Sequence, residues 1–266
     1  MRAVYGIAAR EGVRFLRQRG RLASGLARPF VWLVFAGAGF ATVFAGATQL
    51  DYRRFMAPGL LGMTVMFGAL LASLSTIVDR EAGVLRMMLL APISRRTVAL
   101  GKVLGATLLG TAQAVVVAAI LLPSVHLVPA AGAALLAAGG LVASSFAMGG
   151  LGLVLAGALR SIENFAGVMN FVVFPMLFLC GALYPVARLS PALRLLAHLN
   201  PLAYGVDVLK HALLAGYAAA GYGGEMPLVL DFAVLIGVGA AGLLVAGSLL
   251  AREDGAARVA VGASRG

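Results

Sequence analysis

The residues of this chain that could do chemistry are few, and most of its charge is concentrated in one place. Residues 79–102, here called the charged segment, carry seven charged side chains, and the apolar stretches on either side carry none. Gly101-Lys102 invites comparison with a nucleotide-binding P-loop. That loop needs another glycine at the position of Arg96 and Ser or Thr at the position of Val103. The chain therefore lacks an ATP site of this kind.

Other catalytic or metal-binding constellations are equally sparse. The three histidines, His126, His198 and His211, include no pair at helical i,i+4 spacing. Cys180 is the single cysteine, which excludes an intrachain disulfide and a cysteine metal cluster. We therefore expect no catalytic residues, no metal site and no cofactor bound by this chain. An integral membrane enzyme is the least favoured function.

The elements that position these residues are built for lipid. Hydrophobic residues make up 61% of the 266 residues and charged residues only 12%, against about 25% charged residues in soluble domains. The net charge of +11 would suggest nucleic acid in a soluble protein. Here the arginines crowd the ends of apolar stretches, which favours a role in membrane orientation and no nucleic-acid partner.

Six apolar stretches are long enough to cross a bilayer, which takes roughly 20 residues per helix. They lie at residues 29–49, 56–78, 103–122, 131–159, 165–184 and 228–250. The fold class is thus an all-α integral membrane protein with six transmembrane helices. Both termini then share a side, and that side holds 16 of the 21 Lys and Arg residues. The positive-inside rule places it in the cytoplasm. A cleaved signal peptide is disfavoured because the first apolar run is too long.

Three regions follow from this layout. Residues 1–28 form a basic interfacial helix, in which Arg10, Arg14, Arg17 and Arg21 make one stripe suited to lipid headgroups or a partner. Residues 29–250 form the six-span domain, and residues 251–266 form a cytoplasmic tail.

Polar groups within the predicted spans are mostly neutral, and Asp231 lies only at the start of the sixth span. A proton- or sodium-coupled transporter normally needs a buried carboxylate or a broken-helix ion site, so that class is disfavoured. We expect the hydroxyls to form hydrogen bonds between helices and the glycines of the fourth and sixth spans to allow close helix contact.

The charged segment predicts a helix, a break and a second helix. Residues 81–90 form the first, Pro92 stops it, and Ser94 caps a helix that runs into the third span. An apolar strip on the first helix, with arginines beside it, predicts a protein-binding surface. The strip consists of Val84, Leu85, Met88 and Leu89. The alternative is an interfacial loop resting on lipid.

This segment resembles the cytoplasmic segment of ABC type-2 transporter permeases, an exporter family of drug and lipo-oligosaccharide permeases. The matching residues are Glu81, Gly83, Leu89, Pro92, Ser94, Arg95, Gly101 and Lys102. The chain departs from the family pattern at Val84, where threonine is usual, and at Arg86, where glutamate is usual. The change at Arg86 reverses a charge at the contact with the partner that the family implies.

A second match covers the segment after the fifth span. It consists of Phe174, Pro175, Gly181, Tyr184, Pro185, Asn200, Pro201, Leu202, Tyr204 and Asp207. Turns are predicted at Ser190-Pro191 and Asn200-Pro201, with short apolar helices that dip into the outer leaflet. The resemblance implies that residues 186–216 form an extracytoplasmic re-entrant segment at the outer end of a substrate path. The implied gate residues are Phe174, Pro175, Tyr184, Pro185, Asn200, Pro201 and Tyr204.

The resemblance implies the membrane subunit of an ATP-binding cassette exporter in the bacterial inner membrane. Its partners would be two copies of an ABC ATPase, which carries ATP and Mg, a second permease copy and membrane lipid. The implied ATPase-coupling residues are Glu81, Gly83, Leu85, Arg86, Met88, Leu89, Pro92 and Arg95. Neutral span walls suit an amphipathic or lipid-like substrate. The alternatives are an ATP-independent channel or secondary transporter, and a membrane scaffold or assembly protein.

Overall fold

The computed structural model describes residues 2–17, 19–44, 51–90, 93–159 and 161–263, and within these ranges it is entirely helical apart from turns and loops. Ten α-helices follow one another in these ranges, and two short 3-10 turns lie at Val186–Arg188 and Ala215–Ala220. The α-helices are α1 (Arg2–Arg17), α2 (Arg19–Phe44), α3 (Tyr52–Glu81), α4 (Val84–Leu90), α5 (Arg95–Ser124), α6 (Ala131–Ala158), α7 (Ile162–Leu179), α8 (Pro191–His198), α9 (Pro201–Leu213) and α10 (Leu228–Ala263).

Five helices in the described part of the chain are long and apolar enough to cross a membrane: α3, α5, α6, α7 and residues Leu228–Leu250 of α10. Each of the last five predicted spans coincides with one of them. The first predicted span, residues 29–49, falls on α2 as far as Phe44, and its remainder lies outside the described residues. The count of six spans therefore stays a prediction.

Helix α3 is the centre of the bundle. It is enclosed by α2, α5, α6 and α9, and 78% of its most apolar stretch is buried. Close contact on one side depends on glycine, since a Cβ at Gly68 would lie 2.9 Å from the Cα of Gly110 on α5. The backbones of α3 and α5 therefore come into close contact at this point.

Glycine also sets the packing of α6 against α10, as the sequence predicts. A Cβ at Gly242 would lie 2.6 Å from the carbonyl carbon of Gly150, closer than real Cβ atoms approach. The two backbones therefore touch directly at this point. Such contact supplies the van der Waals packing that holds membrane helices together.

The hydroxyls inside the spans are used differently from the prediction. Thr64, Ser73 and Thr107 each donate to the carbonyl four residues earlier in their own helix, at 2.8, 3.2 and 2.8 Å. Among these three residues, only Ser73 also donates to a neighbouring helix, to the Gly149 carbonyl of α6 at 3.5 Å. The expectation of hydrogen bonds mainly between helices is wrong for this set, because the local carbonyl is nearer and better aligned.

The bundle has two polar ends. At one end, the Tyr52 hydroxyl donates to the Leu183 carbonyl at 3.0 Å, and Arg54 donates to the Val125 carbonyl at 3.1 Å. At the other end, α3 finishes at Glu81 beside the start of α5, and Arg80 donates to the Leu159 carbonyl at 2.6 Å. The charged segment lies at this second end.

Candidate functional site

A buried ion-pair cluster joins the charged segment to the N-terminal helix. The Lys102 ammonium donates to Glu11 Oε1 at 2.6 Å, to Ser75 Oγ at 3.3 Å and to Asp79 Oδ2. The side chains of Lys102, Glu11 and Asp79 are only 2%, 5% and 4% exposed. Charges this well buried persist because each one is paired and hydrogen-bonded.

Two arginines of α1 complete the ion-pair cluster. Arg10 donates to Asp79 Oδ2 at 2.5 Å, and Arg14 donates to Asp79 Oδ1 at 2.9 Å. The cluster therefore consists of three cations and two carboxylates drawn from α1, α3 and α5. Of the predicted arginine stripe, Arg10, Arg14 and Arg17 lie on α1, and the first two pair with Asp79. Arg21 lies on α2, and its side chain is outside the described residues.

Two glycines of α5 let α1 come close enough to form these pairs. A Cβ at Gly101 would lie 2.9 Å from Cβ of Ile7, and a Cβ at Gly105 would lie 3.1 Å from Cβ of Glu11. Gly101-Lys102 thus acts as a docking point for α1. A small residue brings the helices together, and the next residue supplies the cation.

An open cleft of about 700 Å³ lies between α1 and the charged segment. Its walls combine three arginines of α1 with Asp79 and the turn before α4. The lining residues are Arg10, Val13, Arg14, Arg17, Asp79, Ala82 and Val84. Positive charge at the mouth of a cleft favours an acidic partner group.

The helix, break and second helix predicted for the charged segment are present, with one shift. α3 continues to Glu81, and the short helix α4 begins at Val84 rather than at residue 81. A further turn that was not predicted separates α3 from α4 at Gly83, whose φ of 72° is a left-handed conformation that glycine adopts readily. The predicted stop at Pro92 lies outside the described residues. Glu81 and Gly83 are both exposed at this turn.

The prediction of an exposed apolar strip on α4 is wrong at Leu85, while Val84 and Met88 are half-buried and the side chain of Leu89 lies outside the described residues. Leu85 is 1% exposed and packs against Val98, Ala99 and Leu250, with Met88 beside them. The outer face of α4 instead presents Arg86 and Met87, and Met87 is 72% exposed. An amphipathic strip buries its apolar side wherever the bundle offers a partner, and here α5 and α10 do so.

Another predicted coupling residue, Arg95, lies at the start of α5. The Ser94 hydroxyl accepts the Thr97 amide at 3.1 Å, which confirms the predicted cap, and Arg95 is the first residue of α5. Leu89 lies in α4, but its side chain is outside the described residues, as is Pro92 altogether. Their coupling roles stay predictions.

At the opposite end, the predicted turns and short helices are confirmed as α8 and α9, each with proline at its N-terminus. Asn200 caps α9 by accepting the Leu202 amide at 3.0 Å and donates to the Met176 carbonyl of α7 at 2.7 Å. The Tyr204 hydroxyl donates to the His198 carbonyl at 2.7 Å. These bonds join α7, α8 and α9 into one unit.

The other predicted gate residues lie at three places in the structure. Tyr184 and Pro185 follow α7, and the Tyr184 hydroxyl donates to the Phe178 carbonyl at 2.6 Å. Phe174 and Pro175 lie on the exposed face of α7, where Phe174 is 56% exposed. Pro201 opens α9. The structure thus joins the Tyr184 and Asn200 regions through α7 and leaves Phe174 pointing outward.

A second buried charge cluster lies beneath this unit. Asp207 of α9 accepts the amides of Glu225 and Met226, each at 2.8 Å, and Lys210 pairs with Glu225 at 3.2 Å. Glu225 in turn accepts the amides of Val186 and Ala187 at 2.9 and 2.6 Å. The loop before α10 is thereby fixed onto α9.

Cys180 lies in the turn after α7, on the wall of a cavity of about 190 Å³ next to Lys210 and Glu225. Burial raises the pKa of the Cys180 thiol to about 11. The thiol is therefore protonated at neutral pH, and a protonated thiol is a poor nucleophile and metal ligand.

The sequence argument missed Glu11, Asp79 and Lys102 as one cluster, and it treated Asp207 only as a motif residue. Glu11 is the single acidic residue among the first 50. Glu11 is thus an isolated acidic residue at helical spacing within an arginine stripe. That pattern could have identified Glu11 as a partner for a buried cation.

Comparison with known proteins agrees with this architecture. The family model of the ABC-2 type transporter matches residues 2–214. A putative transport permease, ycf38, of Porphyra purpurea is 30% identical over 200 residues, covering 73% of this chain and 68% of the relative. Nodulation protein J of Neorhizobium galegae is 26% identical over 205 residues, covering 73% of this chain and 74% of the relative.

A probable multidrug ABC transporter permease, YbhR, of Escherichia coli strain K12 is 30% identical over 168 residues. That match covers 62% of this chain and 45% of the relative, so the chain spans less than half of the relative's length. The family match includes all the residues of the ion-pair cluster and the α9 residues of the second charge cluster, whose Glu225 lies beyond the match. The chain belongs to the ABC-2 type transporter family of membrane permeases.

Proposed function

We propose that this chain is the membrane subunit of an ATP-binding cassette exporter and that a separate ATPase drives it through the charged segment and α1. ATP and Mg reside on the ATPase, since the P-loop pattern fails at Arg96 and Val103. Binding and hydrolysis of ATP shift the permease between inward- and outward-facing states by favouring one of them.

The observation that carries this proposal is the ion-pair cluster. It fastens α1 to α3 and α5 at the end of the bundle where α4 protrudes. A displacement of α4 or α1 by a partner is then passed to the central helix α3, because the buried pairs resist separation. The membrane scaffold alternative gives no reason for so rigid a link at this place.

The contact surface for the ATPase is the outer face of α4 together with the arginine-lined cleft. Arg86 and the exposed Met87 stand on α4, and Arg10, Arg14 and Arg17 line the cleft beside them. We therefore expect the ATPase to present acidic side chains around an apolar pocket for Met87. An acidic ATPase surface would also match Arg86, which is positive where the family usually has a glutamate.

A second permease copy fits the exposed face of α7. Only 22% of the apolar stretch that forms α7 is buried within the bundle, and Phe171 is 80% exposed. Phe174 and Phe178 extend the same exposed aromatic surface. We propose that two copies meet along this face and that an amphipathic or lipid-like substrate passes between them, with the α7–α9 unit at its outer exit.

The test begins with purification of the chain together with the ATPases encoded beside it. An ATPase should copurify, and its ATP turnover should change when the permease is present. The Arg86→Glu variant should weaken this association, because it places a negative charge opposite the acidic side chains expected on the ATPase. Transport without any ATPase would establish the channel or secondary-transporter alternative, and an unchanged flux after charge reversal would favour the scaffold.

A further inference from the structure

We propose that Asp207, His211 and Asp231 bind a divalent transition-metal cation, with Zn²⁺ the ion they fit best. One ligand atom from each residue lies within 4.8 Å of the other two. The sequence predicts no such site, because these residues come from two elements separated by a loop. The inference rests on local geometry and is independent of the proposed ATPase coupling.

Asp231 supplies the observation that points to a ligand. It lies in the first turn of α10 and is 0% exposed. No amide, amine or hydroxyl in the described ranges donates to either of its carboxylate oxygens, and the carboxyl group that lies against it is that of Asp207. A carboxylate buried without donors is costly, so it needs a cation or a proton to offset its charge.

The neighbouring groups do not supply that cation. Asp207, which is 3% exposed, brings a second negative charge next to Asp231. The buried Lys210 ammonium pairs with Glu225 at 3.2 Å and lies 5.3 Å from the centre of the Phe55 ring. Two adjacent buried carboxylates repel each other unless a positive charge lies between them.

Asp207 and His211 are already held in place as metal ligands usually are. The Glu225 and Met226 amides fix the Asp207 carboxylate at 2.8 Å each. His211 Nε2 lies 2.7 Å from the Met226 carbonyl and 3.6 Å from Asp207 Oδ2. Because a carbonyl oxygen only accepts, Nε2–H donates to Met226, and Nδ1 is the nitrogen left to bind a cation.

The donor set selects the class of cation. Two carboxylates and one imidazole suit Zn²⁺, which is commonly held by three protein ligands and a water. Imidazole disfavours Ca²⁺ and Mg²⁺, which prefer oxygen ligands. Asp207 also lines the cavity of about 190 Å³, which gives water a place beside the site. A bound cation would fasten α10 to α9 and the loop between them.

The test uses the full chain purified in detergent, stripped of metal with a chelator and dialysed against Zn²⁺. We expect about one tightly bound Zn²⁺ per chain by elemental analysis, together with a higher melting temperature. Asp231→Asn should lower the affinity at least about tenfold and abolish the thermal shift. His211→Gln should do the same, and it serves as a second variant if Asp231→Asn does not fold.

His198→Gln is the matched control, because this exposed histidine lies nearby but outside the ligand set. It should bind Zn²⁺ as the wild type does. The proposal is overturned if the wild type binds no stoichiometric Zn²⁺ or if Asp231→Asn binds it equally well. It is also overturned if added Zn²⁺ leaves the melting temperature of the wild type unchanged and Asp231→Asn melts at a higher temperature than the wild type. That result would show that Asp207 and Asp231 share a proton and bind no cation.

Discussion

Lys102 is the residue on which the packing of α1 against α3 and α5 depends. Its ammonium is 2% exposed and is shared between Glu11 and Asp79, which lie 91 and 23 residues away in sequence. A buried cation is tolerated only with such partners, and its loss leaves two carboxylates in a poorly hydrated place. Lys102 therefore acts chiefly by positioning α1.

Lys102→Met should lower the free energy of unfolding by about 3 kcal/mol, because Glu11 is left buried with only Arg10, at 3.8 Å, as a counter-charge. Thermal unfolding in detergent measures the loss. Arg96→Met, which removes an exposed cation six residues earlier on the same helix, is the control and should change little. Equal melting temperatures for the two variants would contradict the role of the cluster. Lys102→Met/Glu11→Gln should recover part of the loss.

Cys180 should react slowly with iodoacetamide at pH 7.5 and faster as the pH rises, because burial holds the thiol in its protonated form. Mass spectrometry of the labelled chain follows the reaction, and denatured protein provides the fast reference. A rapid reaction at pH 7.5 in folded protein would show that the thiol is exposed.

At the scale of elements, the sequence predicted the helices well and their faces less well. Pro191, Pro201 and the Ser94 cap mark helix starts that the structure reproduces, because these signals are local. The direction of the α4 strip depends on whether α5 and α10 cover it, and a local pattern does not contain that information. The pairing of Glu11 with Lys102 is likewise a tertiary property.

Leu85→Ala should destabilise the protein by about 2–5 kcal/mol, because it opens a cavity where α4 packs on α5 and α10. Met87→Ala, two residues away, should leave stability nearly unchanged, since Met87 is 72% exposed. Thermal unfolding of the purified permease compares the two. If Met87→Ala cost more than Leu85→Ala, α4 would face the opposite way.

Gly242→Ala should cost about 1–3 kcal/mol, because the added methyl group would push α10 away from Gly150. Gly237→Ala makes the same change on the same helix where no atom lies within 4 Å. It should be neutral or slightly stabilising, since alanine favours helix. The two melting temperatures decide whether this backbone contact holds the bundle together.

The whole molecule is a helical bundle with a charge cluster at each end and an apolar body between them. The amino-acid composition alone predicts the apolar helical part of the bundle, because backbone groups inside a lipid bilayer must form their hydrogen bonds within helices. It also indicates the orientation through the distribution of Lys and Arg. The identity of the buried acids at each end depends on the packing of α1 and α9, which composition does not determine.

Orientation can be tested with single cysteines in a Cys180→Ala background. Ser190→Cys should react with a membrane-impermeant maleimide in intact cells, because this exposed turn lies at the predicted outer end. Met87→Cys should react only after the membrane is permeabilised. The reverse pattern would place the charged segment outside the cell and remove the basis for coupling to a cytoplasmic ATPase.

The central claim, that an ATPase acts on the outer face of α4, is tested most directly by the affinity of the permease for its copurifying ATPase. Met87→Asp should weaken that affinity at least about tenfold, because a charge replaces an apolar anchor, while the melting temperature is preserved. Leu199→Asp, at the opposite end and 73% exposed against 72% for Met87, should bind as the wild type does. Unchanged binding by Met87→Asp would contradict the account.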